Sequence, residues 1–361
     1  MRVTPVFVMS GSATERGESY GEQARDHIQE AVRRWHAWIA PSLRIPVEEY
    51  VQEFVTHTGF LGAARRLNPS LLDETAAISR GSGVSHEEVL GLNFMDEDWW
   101  FRPRFGKEPP EHCSSFGVKP VDGQATMIAQ NMDLPTWLDG LQVLLDIRPD
   151  DGTPALLAPA FAGMIGLNAL NEHGVGVCVN SLDQLLKSSD GVPVAFVIRT
   201  LATAKTFDEA VRKLTSLPHA TGQNYLVAGP DDVADYECSG GGITQCQFDS
   251  RIVHTNHPLV NPSESSTKSD IAANASTNSE MRLASLSGGL GELDVVSVAD
   301  AELLLKRPPV CRENDSKEEF FTFHSVILEP ATRTLHLTMG PPDRSDYVTH
   351  GVTAAGRITS S

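Results

Sequence analysis

CSSFGVKP at residues 113–120, then Asp122-Gly123, then QATMIAQNMD at residues 124–133 is the stretch whose reading decides the fold. Two runs of strand-forming residues joined through an Asp-Gly turn predict a β-hairpin, and the hairpin starts at a cysteine. Immediately upstream, RPRFGKEPPEH at 102–112 mixes prolines, a glycine and charges, which predicts an exposed loop. Before that loop the chain reads as helical. Ser12-x-x-Glu15 is a capping box, and Tyr20, Ala24, Ile28, Val32, Trp35 and Ile39 recur every three or four residues, as one amphipathic helix requires. A second helix is expected near Leu71–Ser79, ending at Gly81 and Gly83, and a third from the capping box Ser85-x-x-Glu88 toward Trp99.

Beyond the hairpin, strands are expected at LQVLLDIRP (141–149), PALLAPAF (154–161), GVGVCVN (174–180), QNYLVAG (223–229), RIVHTN (251–256), FFTFHSVILEP (320–330) and TRTLHLTM (332–339). PVAFVIRTLATA (193–204) and Phe207–Leu217, the latter capped by Thr206-x-x-Glu209, read as helices. Residues 261–292, rich in Ser, Thr, Gly and Asn, are expected to be a loop around a short helix near Ser279–Leu286. No repeat of fixed period is present. The pattern predicts an α+β protein, antiparallel sheet covered by helices, with a helical N-terminal portion.

Composition sets the limits. The 361 residues are 40% hydrophobic and 21% charged, enough apolar material for a large core, so general disorder is excluded. A net charge of −18 argues against nucleic acid or an anionic membrane surface as partner, because both need a basic face. The short apolar run Val6–Met9 is too brief for a secretory signal, and five cysteines without regular spacing do not form a disulfide framework. A cytoplasmic protein is the expectation. The uncharged stretch 152–171 could span a bilayer by length, but Pro154, Pro159, Gly163 and Gly166 interrupt it, and two buried strands joined by a turn fit better.

Four of the cysteines have bland surroundings. Cys178 sits in an apolar strand, Cys238 and Cys246 flank SGGGITQ without a zinc-type partner pair, and Cys311 follows two prolines. Cys113 opens a strand directly after a polar loop. The hairpin returns QNMD (130–133) beside it, and later strands offer Asn180 and Asn224. A nucleophile, a carboxylate to orient an amine, and amide donors for an oxyanion make up an acyl-transfer constellation.

Seven segments together resemble a known family: RGESYGEQARDHI (16–28), LNFMDED (92–98), Cys113-Ser114-Ser115, QNMD (130–133), LNEHGVGVCVN (170–180), GQNYLVAG (222–229) and HTNH (254–257). In that order they resemble the autoproteolytic acyltransferase/hydrolase family typified by isopenicillin-N acyltransferase, within the N-terminal-nucleophile (Ntn) hydrolases. More distantly they resemble the choloylglycine hydrolases and penicillin V acylases. The resemblance covers nearly the whole chain. It implies an αββα four-layer sandwich of two antiparallel sheets covered by helices, made as a precursor that cleaves itself at the His112–Cys113 bond. An α chain of residues 1–112 and a β chain of residues 113–361 would stay associated as a heterodimer forming one domain, with higher oligomers open.

By the same resemblance Cys113 would be the nucleophile, its freed α-amine the base, Asp133 the holder of that amine, and Asn224 an oxyanion donor. Asn180, Asn131, Ser279 and Arg282 are further oxyanion or substrate-binding candidates, Ser279-x-x-Arg282 also reading as a solvated helix face. No cofactor and no metal is implied. The expected activity is hydrolysis of a linear, non-peptide amide of a small molecule through a thioester, with acyl transfer from a thioester donor to an amine as the alternative. A free α-amine ordinarily titrates near 7.7–8.0, so it can serve as base without a histidine.

The chain departs from the family at two places. His112 stands where glycine is usual, and Gln130 stands where the choloylglycine relatives carry Arg, which puts bile-salt-type recognition in doubt. His254-x-x-His257 has a metal-like spacing, but on a strand the two side chains would point to opposite faces. A papain-like enzyme using Cys113 with His254 or His257 and Asn256, and a non-catalytic scaffold, are the competing classes.

Overall fold

The computed structural model describes residues 5–102, 113–121, 123–261, 270–312 and 319–352. Residues 103–112 of the loop expected at 102–112, including His112 and its bond to Cys113, and Asp122 of the turn lie outside the described residues.

The chain opens with a strand, β1 (Val6–Gly11), where the sequence reading has only helix. Seven helices follow: α1 (Ala13–Gln23), α2 (Arg25–Ile39), α3 (Val47–His57), α4 (Phe60–Leu67), α5 (Pro69–Ser82), α6 (His86–Asn93) and α7 (Met95–Phe101). Both serine capping boxes form as expected, with Ser12 and Ser85 each accepting from the backbone N–H three residues on. The single long helix is in fact two: Ala24, at φ −100° and ψ 12°, breaks the helical geometry between α1 and α2. A similar break at Phe94 separates α6 from α7. Gly83 closes α5 in the left-handed region (φ 73°), where glycine is favoured.

From the cysteine onward come β2 (Ser114–Val118), β3 (Met127–Pro135), β4 (Gln142–Pro149), β5 (Leu156–Phe161), β6 (Ala169–Asn171) and β7 (Gly176–Ser181). Next are α8 (Val194–Leu201), α9 (Phe207–Ser216), β8 (Gln223–Ala228), β9 (Val233–Ser239), β10 (Gly242–Cys246) and β11 (Arg251–His254). The chain continues with α10 (Asp270–Gly291), α11 (Val298–Lys306), β12 (Phe320–Glu329), β13 (Thr334–Met339) and β14 (Val348–Gly351). The hairpin of β2 and β3 forms, and the uncharged stretch 152–171 holds the buried strands β5 and β6. The segment read as loop around a short helix instead carries α10 over 22 residues. Its Ser, Thr and Asn content obscured the helix.

Two sheets result, one in the order β1-β4-β5-β6-β7-β8-β9-β10 and one in the order β11-β2-β3-β12-β13-β14. Among the described residues, the pairings between these strands are antiparallel except β1 with β4, which is parallel. Alternation of side chains along each strand builds the layers. On β4, Val143, Leu145 and Ile147 face the N-terminal helices together with Ile28, Trp35 and Phe196, while Leu144 joins the space between the sheets. That space also holds Ile128, Leu157, Cys178, Leu226 and Val326. On the far side, Phe116, Val118 and Met127 pack under Leu286, Leu290 and Leu304 of α10 and α11. The architecture is αββα.

One buried ion cluster ties the N-terminal layer together. Glu74 of α5 accepts from Arg16 of α1 (3.1 Å to Nε) and from Arg199 of α8 (2.8 Å to Nη1), and all three side chains are buried. The approach of α1 to α5 needs glycine: a Cβ on Gly17 would meet the Glu74 carbonyl at 2.2 Å, and one on Gly81 the Glu18 carbonyl at 2.3 Å. Burial opposes the charge on Glu74, but Arg199 and Arg16 outweigh it and hold its carboxyl below the ordinary range. A depressed carboxyl contributes stability that is present above its ordinary pKa and is lost as pH falls through its folded value. Glu74→Gln is therefore expected to cost about 3–5 kcal/mol at neutral pH, because two buried guanidinium groups lose their counter-charge. The Tm gap to wild type should narrow as the pH is lowered into the acid range, as measured by thermal denaturation across pH.

Candidate active site

Cys113 precedes β2 and is 7% exposed. Its backbone is held from across the fold by Arg282 of α10, a fully buried side chain. Arg282 Nη1 donates to the Cys113 carbonyl (2.5 Å) and to Ser114 Oγ (2.8 Å), and Nη2 donates to Asn256 Oδ1 (3.0 Å). Nε donates to Asn278 Oδ1 at 2.8 Å. The solvated-face reading of Ser279-x-x-Arg282 is excluded, since Ser279 is buried as well. Ser279 Oγ accepts from the Asn256 N–H (2.8 Å) and bonds to His257 Nδ1 (2.8 Å).

Cys113 opens onto a small cleft, partly open to solvent, which Asp133 also lines. Asp133 Oδ1 accepts from Thr322 Oγ1 at 2.7 Å, while its Oδ2 has no hydrogen-bond partner. Burial pushes this carboxyl up to about 7, against the pull of Arg312, the Thr322 bond and Arg282. Asp96, Ser181 and Gln223 are the other polar side chains of the wall, with Gln223 Nε2 donating to Asp96 Oδ1 at 3.4 Å. Behind Asp96, burial and the Asp96 charge raise the Glu97 carboxyl well above the ordinary range. Trp99, Met132, Leu167, Val179 and Phe320 supply the apolar surface. Trp99 is thus buried and also faces the cleft, with its ring edge-on to Phe320; the side chain of Trp100 lies outside what is described.

Asn224 and Asn180 do not line the cleft. They are register partners on β8 and β7, and Asn180 Nδ2 donates to Asn224 Oδ1 at 3.2 Å and to Ser115 Oγ at 2.6 Å. Asn224 Nδ2 donates to the Asp235 carboxylate of β9. Asn131 is spent on structure, its amide donating to the carbonyls of Leu305 (2.8 Å) and Val310 (3.1 Å). The structure therefore brings Cys113, Asp133 and Arg282 together, and sets the asparagine pair on the inter-sheet side. Asp96, Ser181 and Gln223 went unassigned in the sequence, although LNFMDED and GQNYLVAG contain two of them.

Asp235, Cys246 and His254 bring one ligand-type atom each within 4.8 Å of one another. His254 is a poor ligand, because both ring nitrogens face acceptors: Glu237 Oε1 at 3.1 Å and the Thr255 carbonyl at 2.9 Å. Burial opposes a charge on this imidazole, but Glu237, Asp235 and the Thr255 carbonyl outweigh it and raise its pKa. With both nitrogens engaged by these partners, the ring has no free nitrogen for a metal or for proton abstraction from a thiol. His257, engaged by Ser279, stands just beyond β11 and not on it. Neither histidine lines the cleft, which removes the support for a papain-like arrangement.

An αββα sandwich whose inner strand is led by a buried cysteine beside a carboxylate defines a protein of the Ntn-hydrolase type. The chain belongs to the family described as acyl-coenzyme A:6-aminopenicillanic acid acyl-transferase, which matches residues 120–344. It is also similar to solved structures. The N-acylethanolamine-hydrolyzing acid amidase ortholog of Caenorhabditis elegans matches with TM-score 0.46 and 17% identity over 61% of this chain and 93% of that one. A variant of the conjugated bile acid hydrolase of Clostridium perfringens matches with TM-score 0.41 and 12% identity over 69% and 96%. The penicillin V acylase of Agrobacterium tumefaciens gives TM-score 0.40 and 12% identity over 69% and 98%. No curated protein sequence matches the chain. No helix among the described residues is long and apolar enough to cross a membrane.

The raised Asp133 carboxyl gives a signed pH dependence in the uncleaved chain. Its folded pKa of about 7 exceeds the ordinary 3.9, so the folded state holds a proton that the unfolded state has lost, and stability falls as pH rises between the two. In a Cys113→Ala background, Asp133→Asn is expected to raise Tm, with the gain growing from pH 4 to about 7 and flat above. A gain independent of pH, seen in thermal scans, would contradict the placement of this carboxyl.

Proposed function

We propose that the chain is a self-cleaving N-terminal-cysteine amidohydrolase acting on a small-molecule amide. The observation that supports this best is the shared cleft of Cys113 and an Asp133 carboxyl oxygen that has no partner. In the precursor the Cys113 thiol attacks the carbonyl carbon of the preceding residue, forming a thioester and releasing the α-amine. Water then cleaves that thioester. The free α-amine sits beside Asp133, takes the thiol proton, and returns it to the leaving amine when an external amide is attacked. The acyl group remains on sulfur until water, activated by the same amine, releases the carboxylic acid and regenerates the thiol. By the family resemblance Asn224 is assigned as the oxyanion donor: it sits behind the cleft wall, next to Gln223 on β8, with one of its two N–H bonds committed to Asp235 and the other left for the developing oxyanion.

The apolar wall suits an aliphatic or aromatic acyl group, while the Asp96–Gln223 pair suits a polar amine portion that donates a hydrogen bond. The family description favours a second reading, in which an amine and not water accepts the acyl group from the thioester. Product analysis with and without an added acceptor amine separates the two.

Cys113→Ala is expected to leave one uncleaved chain by intact mass and no acyl transfer at all, whereas the wild-type chain splits before Cys113. Splitting in the alanine variant would defeat the proposal.

A further inference from the structure

The space between the sheets carries a line of polar side chains near the asparagine pair. His324 Nε2 of β12 donates to Asn168 Oδ1 (2.7 Å), and Asn168 Nδ2 donates to Gln130 Oε1 (2.6 Å). Gln130 Nε2 of β3 donates to Asn180 Oδ1 (2.8 Å), Asn180 Nδ2 donates to Asn224 Oδ1 (3.2 Å), and Asn224 Nδ2 donates to Asp235 Oδ1. All six side chains are buried. Every bond runs the same way from donor to acceptor; the line crosses from β3 to β7 at Gln130–Asn180, continues along one sheet through β8, and ends on the Asp235 carboxyl of β9.

Amide orientation in such a line is set by its fixed acceptors. Gln130 Nε2 also donates to the Val179 carbonyl, and Asn180 Nδ2 also reaches the His254 carbonyl at 3.4 Å; neither carbonyl can donate in return. At the far end the Asp235 oxygen accepts from Asn224, so the nitrogen and oxygen of Asn224 cannot exchange places without losing two bonds at once. At the start, burial lowers the His324 pKa to about 3, which keeps a neutral ring that donates through Nε2. Hydrogen bonds aligned in one direction polarise one another, and the last amide N–H of the line is the one spent on Asp235. That amide belongs to Asn224.

We propose that Asp235 is the positioning residue of the acyl-transfer site: as the terminal acceptor of this one-way line, it fixes which atom of Asn224 is the nitrogen and so keeps the second N–H of that amide available as an oxyanion donor. His254, held by Glu237, lies close to Asp235. The inference rests on the proposed role of Asn224, and goes beyond it by assigning Asp235 and the line behind it.

A double-mutant cycle tests it, with p-nitrophenyl octanoate as the acyl donor. The Cys113 thiolate displaces p-nitrophenolate, which is read by absorbance, and the octanoyl thioester is then hydrolysed. Asn224→Ala is expected to lower kcat by about 10²–10³, the usual loss for one oxyanion donor. Asp235→Ala should lower it by a similar factor with KM within about threefold of wild type, and the double variant should be no slower than Asn224→Ala alone. Asp235→Asn, which keeps the volume, should show the same non-additivity and covers the case in which Asp235→Ala fails to fold. Multiplying losses, an unchanged kcat in Asp235→Asn, or a change confined to KM overturns the inference. If wild type shows no Cys113-dependent ester turnover, or Asn224→Ala turns over normally, it is the proposed function that fails, and the assignment of Asp235 falls with it.

Discussion

A guanidinium group with no exposure to water has to be satisfied by the protein, and Arg282 is satisfied by the start of β2. Its planar fork reaches the Cys113 carbonyl, the Ser114 hydroxyl and the Asn256 side chain, while Nε is held by Asn278. Releasing Cys113 would leave this cation short of an acceptor in a dry interior, so the position of the cysteine is enforced from α10 and from the segment after β11. The outer helical layer thereby fixes the chemistry at the inner strand. Asn256 completes the lock, because its backbone N–H is held by Ser279 and its amide donates to the Ser181 carbonyl at the cleft wall.

The interior between the sheets divides into two regimes. At one end it is an ordinary apolar core, with Leu144, Leu157, Cys178 and Leu335. Toward the cysteine it is lined by neutral amides that satisfy one another and hold no unpaired charge along the line. Gln130 is central to that exchange. A cation at this position would need a counter-charge, whereas glutamine both accepts and donates and so passes the line on from Asn168 to Asn180. The charged cluster around Glu74 lies in the N-terminal helical layer, where it joins helices and leaves the cleft alone.

The hairpin at Cys113, the serine capping boxes and most inner strands were legible, since each rests on local rules of turn, cap and alternation. β1 was missed because the short run VFVMSG precedes a strong capping box, and its strand identity comes only from pairing with β4, far along the chain. The division of α1 from α2 at Ala24 was equally hidden: the apolar spacing continues through the break. α10 was underestimated because Ser, Thr and Asn lower helix propensity, while its contacts with β11 and β2 are tertiary. At the site, Cys113, Asp133 and Arg282 come together in the structure, whereas Asn180 and Asn224 lie behind the cleft. Asp235 could not have been found, because nothing in VADYEC marks one acidic residue as an acceptor for an amide on the neighbouring strand.

The Asp133 carboxyl also explains why cleavage and catalysis would belong to one device. In the uncleaved chain the nitrogen of Cys113 is a neutral peptide N–H, and burial leaves this carboxyl at about 7, half-way to being an acid at physiological pH. Cleavage would replace the peptide nitrogen with an amine, whose protonated form can donate to the Asp133 oxygen that has no hydrogen-bond partner. An adjacent ammonium lowers the carboxyl pKa and the carboxylate raises that of the amine, so the pair favours the state in which the amine has already taken the thiol proton. On the proposed chemistry that state is thiolate beside ammonium. The same electrostatic change that stabilises the cleaved chain would then activate its nucleophile, without requiring a histidine in the cleft.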